Sequence, residues 1–270
     1  MASAYDPVAG LQVELDGSVL RLTIDRADRR GALDDEIVAG LVTAIDAAGR
    51  DEQVRAVVLG SAGDDFCSGF DIVARNAPGG PRPRVGSIQR RLPSQANRLV
   101  PLMLRTQVPI VSVVRGWAAG IGLNLAVASD FTVAADDARF WAPFVGRGFT
   151  PDSGASWMLP RRIGEVRARE MLLLGRVVSG SEAADWGMIH RAVPADALDA
   201  TAGELVGTLA DAPTVALGLA KWLVNTASGK SLDDHLHDEA FSMELSSRSE
   251  DFKEGLAAFK EKRPPRYEGR

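Results

Sequence analysis

The 270-residue chain has one cysteine, three histidines and two tyrosines, and each shortage removes a class of reading. Cys67 has no second cysteine to join, so no disulfide lies within the chain, as expected of a protein kept in a reducing cytoplasm. His190, His235 and His237 all fall in the last third with no motif around them. A serine hydrolase built on Ser68 therefore lacks its base, and no metal site is read from the sequence. No apolar run approaches the roughly 20 residues that a membrane helix needs. The opening "MASAYDPVAG" has neither the basic nor the apolar region of a secretory signal. With 31 basic against 36 acidic residues and a net charge of −5, there is no surplus of positive charge for nucleic acid. The expectation is a soluble protein with no membrane or nucleic-acid partner.

What is present is alternation. Leu11, Val13 and Leu15, an Asp16-Gly17 turn, then Leu20, Leu22 and Ile24 predict a β-hairpin. Asp34 or Asp35 can cap a helix whose buried stripe is Ile37, Leu41, Ile45 and Ala48. A strand is expected over 54–60, a helix over 86–105, a strand over 109–114, a small-residue helix over 120–128 and a strand over 131–134. Repeated strand and helix implies parallel pairing with crossover helices, an α/β core. After Pro194 the strand signals stop, and Leu205, Leu209, Leu219, Trp222 and Leu223 read as packing residues of a helical appendage. The expected division is a core over 1–200 and a helical region over 201–270. Arg82, Arg84, Arg90, Arg91, Arg98 and Arg105 make one stretch locally basic, either a solvated face or a landing zone for a phosphorylated small molecule.

Two glycine turns follow strands: "FCSGFDI" (66–72) and "GWAAGIGLNLAVASD" (116–130). Each offers backbone N–H groups with a helix start behind them, donors suited to an anion or a developing oxyanion. Gly120, Gly122 and Ala126 loosely imitate a dinucleotide fingerprint, but the leading hairpin breaks the expected order and no strand-end acid follows about 20 residues on. A third stretch, "GFTPDSGASWMLP" (148–160), isolates one acid, Asp152. Its type and position suit a helix N-cap as well as a working carboxylate.

The blocks "DRADRRGALDDE", "AVVLGSAGDDFCSGFDI", "VRGWAAGIGLNLAVASDF", "FWAPFVGRGFTPDSGASWMLPRRIG" and "SEDFKEGLAAFKEKRPPRYEGR", in that order, resemble the signature blocks of the crotonase, or enoyl-CoA hydratase/isomerase, superfamily. The resemblance implies a spiral of strand, strand, helix turns with a C-terminal helical region that makes trimers, often paired into hexamers. It implies an acyl-CoA substrate that carries its own coenzyme A, with no permanently bound cofactor. The thioester carbonyl would sit between the amides of Phe70 and Ile121. Two aimed N–H donors stabilise an enolate where its charge develops, each worth about 3 to 4 kcal/mol in comparable sites. Arg26, Arg29 and Arg30, with Ser68 and Gly69, would lie where the family holds the nucleotide. Phe259 and Lys262 match positions that in some relatives reach a neighbouring subunit's coenzyme A.

Within the family the acids vary. The two glutamates that activate water in hydratases fall at Asn124 and Phe144, neither ionisable, so the usual water addition is not available. Asp152 falls where several isomerases and dehalogenases carry their aspartate, and with Asn124 beside it as a catalytic candidate the pattern looks most like isomerases that shift a double bond, the phenylacetate-pathway ring isomerase included. Trp141, Phe144, Phe149 and Trp157 would make the pocket apolar and dry. Asp71 and Asp130 match structural positions, Asp64 and Asp65 suit a turn, Cys67 reads as a small buried side chain and His190 as a loop residue. A hydratase with an unusual acid set, a dehalogenase and an acyl-CoA-binding protein without turnover are the other readings.

Overall fold

The computed structural model describes residues 3–72 and 84–270; Arg82 of the basic stretch lies outside them. Strands β1 (Leu11–Asp16) and β2 (Val19–Ile24) form the hairpin, antiparallel, with Asp16 opposite Val19 across the turn. Helix α1 (Asp35–Ala48) is capped by Asp34, whose carboxylate accepts from the Glu36 and Ile37 amides, the usual remedy for orphan N–H groups at a helix start. Its buried face includes Ile37, Leu41, Ile45 and Ala48. Then come β3 (Ala56–Ser61), β4 (Ile110–Val114), β6 (Phe131–Ala135) and β9 (Arg191–Val193), each parallel to its neighbour. The main sheet runs β1-β2-β3-β4-β6-β9.

Both faces of this sheet are covered, as a parallel sheet requires. Leu20, Leu22, Val57 and Leu59 pack with α1, while Ala56, Val58 and Val111 on the other face meet Val206, Leu209 and Ala210 of the later helix Leu198–Ala210. A smaller sheet of three-residue strands, β5 (Trp117–Ala119), β7 (Arg139–Trp141) and β8 (Val177–Ser179), stands beside it. Single bridges extend it from Ala118 to Cys67 and join Phe70 to Leu33.

The expected continuous helix over 86–105 is broken into α2 (Ser87–Arg91), two short 3-10 turns and α3 (Leu99–Arg105). Pro93 lies at the first break and has no N–H to donate, so the ladder cannot continue through it. Next come α4 (Ile121–Ala128), α5 (Ala155–Leu174, bent at Gly164) and α6 (Gly180–Asp185). Four helices close the chain: α7 (Leu198–Ala210), α8 (Thr214–Thr226), α9 (Leu232–Ser246) and α10 (Glu250–Glu261). Among the described residues no helix is long and apolar enough to cross a membrane.

Two glycines shape the place where the two glycine turns meet. Gly120 is required by its backbone, with φ 56°, a region closed to most side chains. One residue into α4, a β-carbon on Gly122 would lie 2.4 Å from the Cys67 carbonyl oxygen, so the helix start rests directly on the neighbouring backbone. Gly122→Ala is therefore expected to push the two turns apart and to lower stability by about 1 to 3 kcal/mol, as overpacking does, together with turnover. Thermal unfolding and a rate assay check it, and an unchanged melting temperature would refute the close packing.

Candidate active site

Three segments converge. The first is the turn at Cys67–Asp71, tied on by isolated bridges. Cys67 pairs with β5 through its N–H to the Trp117 carbonyl (2.8 Å) and its carbonyl to the Ala119 N–H (2.8 Å). On the opposite side, Leu33 donates to the Gly69 carbonyl (2.9 Å) and accepts from the Asp71 N–H (2.8 Å). Because a trans peptide sets its N–H opposite its carbonyl, the Gly69 carbonyl on Leu33 turns the Phe70 N–H away from Leu33. Burial pushes the Cys67 thiol up to about 12, which leaves it a packing group rather than a nucleophile.

The second segment is the start of α4. Every residue of this helix is buried, an unusual setting for a helix end. Ile121 is its first residue, and an amide there has no acceptor within the helix. Gly120 just before it donates to the Trp141 carbonyl (3.0 Å), which ties the helix start to β7. The Phe70 and Ile121 amides so placed can accept a developing negative charge, helped by the positive end of the helix.

The third is the loop before α5. Asp152 is not the N-cap its type suggests: Gly154 occupies that position, with no side-chain cap. The Asp152 backbone carbonyl accepts from the Ala155 N–H (3.1 Å) and from Asn124 Nδ2 (3.1 Å), and this leaves the carboxyl uninvolved in capping. Burial raises its pKa, partly offset by a hydrogen bond from Ser153. Ile121 and Asn124, three residues apart on α4, share a helix face, so one helix bears both the candidate amide donor and the residue that holds the Asp152 turn.

The arginines of the first block divide. Arg26 is turned inward, donating to Asp34 (3.0 Å), to the Ala32 carbonyl (3.0 Å) and to Asp71 (3.4 Å). Arg29 reaches the same Asp71 carboxylate (3.1 Å) and Arg30 reaches Asp65 (2.7 Å), both with side chains at least half exposed. Ser68 stacks beneath them, its N–H on the Arg30 carbonyl (3.0 Å) and its hydroxyl on that of Arg29 (3.3 Å). Asp130 pairs with buried Lys221 at 2.7 Å and accepts the Ile110 N–H. Burial pushes this carboxyl up and the Lys221 amine down, each partly offset by the other.

The four expected pocket aromatics do not form one cluster. Phe144 is buried and meets Phe149 edge-on at 5.9 Å. Trp141 packs on Trp117 at 5.7 Å, with its indole N–H on the Gly175 carbonyl. Trp157 instead lines a cavity of about 550 Å³ with Val100, Leu104, Trp222, Ser153 and Gly154. Trp222 and the α3 residues reached this cavity unannounced, since nothing in their spacing separates a pocket wall from core. Phe259 and Lys262 end α10, where Phe259 is 82% exposed. Among the described residues no group of three or more His, Cys, Asp or Glu side chains could hold a metal ion.

Comparison with known proteins identifies the family and the fold. The chain is 38% identical over 253 residues, 93% of its length and 95% of the relative's, to 1,2-epoxyphenylacetyl-CoA isomerase of Escherichia coli (strain K12). It is 29% identical over 252 residues, 93% and 91% of the two lengths, to 4-chlorobenzoyl coenzyme A dehalogenase-1 of Arthrobacter sp. Among solved structures, an enoyl-CoA hydratase from Polaromonas sp. JS666 superimposes with a TM-score of 0.86 at 30% identity, covering 95% of this chain and 99% of that one. Residues 14–270 match the family described as Enoyl-CoA hydratase/isomerase, and the chain, crotonase in fold and in the order of its motifs, belongs to that family.

Proposed function

We propose that the protein is an isomerase that moves a double bond in an acyl-CoA through a thioester enolate. Asp152 takes the proton at C2 of a 3-enoyl thioester, the Phe70 and Ile121 amides hold the enolate oxygen, and the same carboxylic acid returns the proton at C4. The observation that carries this reading is the link through α4: the helix that begins with the Ile121 amide also holds, through Asn124, the loop of an acid whose pKa is raised by burial. A carboxylate with a raised pKa is a stronger base than an ordinary aspartate. Neither Asn124 nor Phe144 can replace the acid pair that activates water, so isomerisation is favoured over hydration.

Arg29, Arg30, Ser68 and Gly69 form the proposed nucleotide end of the site, with Arg26 bracing it from within. Coenzyme A arrives as part of the substrate, and the compartment is the cytoplasm. The helical region after about residue 200 serves assembly into trimers or hexamers. That role is supported by the exposed Phe241, Met243, Leu245, Phe252, Leu256 and Phe259, more apolar surface than isolated side chains on a monomer account for. It would also bring Phe259 and Lys262 to a neighbour's coenzyme A.

Incubation with 3-enoyl-CoA, 2-enoyl-CoA and ring-epoxidised phenylacetyl-CoA, followed by mass-resolved chromatography, is expected to give products of unchanged mass. Asp152→Asn is expected to lower kcat by about 10² to 10⁴-fold, the range of a lost general base; addition of one water that persists in the variant would overturn the assignment. The base must be ionised, and burial raises its pKa, so kcat/KM falls on the acid side with a midpoint above the ordinary aspartate value of about 3.9. A folded-state pKa above the unfolded one means that the stabilising contribution exists at low pH and is lost as pH rises through the folded value. Asp152→Asn is accordingly expected to melt no lower than the parent at pH 7 to 8. Sedimentation is expected to give the mass of three or six chains, and a monomer at micromolar concentration would refute the assembly.

A further inference from the structure

Asn124 stands at a position that contributes poorly to stability. Its residue is 1% exposed, and its Oδ1 is buried without a hydrogen-bond partner among the described residues. A buried acceptor left unsatisfied carries its full desolvation cost. Only the Nδ2 group is used, and its single partner is the Asp152 backbone carbonyl at 3.1 Å.

The backbone beyond that carbonyl is strained. Ser153 has φ 49° and Gly154 φ 94°, two successive residues on the left-handed side, the first with a side chain that disfavours it. Such a conformation persists only where its surroundings impose it. No side-chain cap holds the start of α5, so the turn is fixed by the Ala155 N–H and by Asn124 Nδ2 on the same oxygen.

We propose that Asn124 is the positioning residue for Asp152, clamping the 152–154 turn to α4 so that the carboxyl is held at a fixed place relative to the Ile121 amide. The assignment rests on the reading of Asp152 as the base and deepens it. An apolar side chain of similar shape would avoid the orphan oxygen; the amide earns its place through the clamp. The residue acts through Asp152 and needs no contact with substrate.

Asn124→Leu, nearly isosteric and unable to hydrogen-bond, separates this role from plain packing. With the best acyl-CoA from the substrate panel, kcat is expected to fall about 10 to 100-fold, the scale of a reacting group displaced by about 1 Å, with KM little changed. The melting temperature stays level or rises. The acid limb of the kcat/KM profile moves to lower pH, because an unclamped Asp152 gains water and loses its raised pKa. Asn124→Ala, too small to clash, provides the same kinetic readout if the leucine variant does not fold. Full kcat with an unmoved acid limb, or a loss of kcat that only follows a loss of melting temperature, would overturn the assignment. Loss of turnover in Asp152→Asn beside full turnover in both Asn124 variants sinks the clamp alone. Turnover retained in Asp152→Asn sinks the base, and the clamp with it.

Discussion

The structure depends on the burial of a helix start. An α-helix presents orphan N–H groups at its first turn, and burying them without acceptors is unfavourable. Most helices place that end in water or cap it, as Asp34 does for α1 and Ser231 for α9. In α4 all eight residues are buried and no side chain caps the first turn. The fold secures this helix by backbone contact instead, through Gly120 to the Trp141 carbonyl and Gly122 on the Cys67 carbonyl. The first amide of such a helix has no acceptor within the helix and a dipole behind it, a setting suited to an anionic oxygen. Stability is given up locally, and the large sheet with its two covered faces supplies the surplus.

The charges are arranged around that point in two tiers. Asp71, nearly buried, collects Arg26 and Arg29 and fastens the Phe70 turn to the loop before α1. Asp65 accepts from Arg30 and from the Trp117 N–H at 2.8 Å, so one carboxylate braces both glycine turns. Arg29 also pairs with the exposed Asp28 at 3.6 Å, yet a guanidinium carries five N–H donors, so the part-exposed side chains of Arg29 and Arg30 retain donors for a phosphate. The same side chains can therefore serve the framework and the nucleotide end of the site.

Legibility in the sequence followed the length of the pattern. The hairpin, α1 with Asp34, and the strands near 56, 110 and 131 repeat apolar residues over enough positions for periodicity to act. Strands β5, β7, β8 and β9 have three residues each, too few for alternation, and their pairing is decided by tertiary context. The break at Pro93 was present in the sequence but masked by the helical spacing around it. Asp152 was visible as a lone acid, yet composition favours it as a cap, and only the left-handed Ser153-Gly154 pair moves the helix start two residues on. The aromatics failed for a related reason: Trp141 and Trp157 differ in partner, not in type, and no local signal says that one packs on Trp117 while the other faces Trp222.

The two acids Asp130 and Asp152 show how burial alone does not define a working group. Burial raises the pKa of both. Around Asp130 the effect is partly opposed by Lys221 at 2.7 Å, by the Ile110 N–H and by the field of Arg162, and an ion pair of that kind holds the carboxylate in one place. Around Asp152 the opposition is a single Ser153 hydroxyl, and no cation among the described residues pairs with it. A carboxyl in that condition can exchange its proton without breaking an ion pair first. The strain at Ser153, the orphan oxygen of Asn124 and the unpaired Asp152 lie in one small region, and three unfavourable features so close together are what a fold tolerates where chemistry, rather than stability, sets the residue choice.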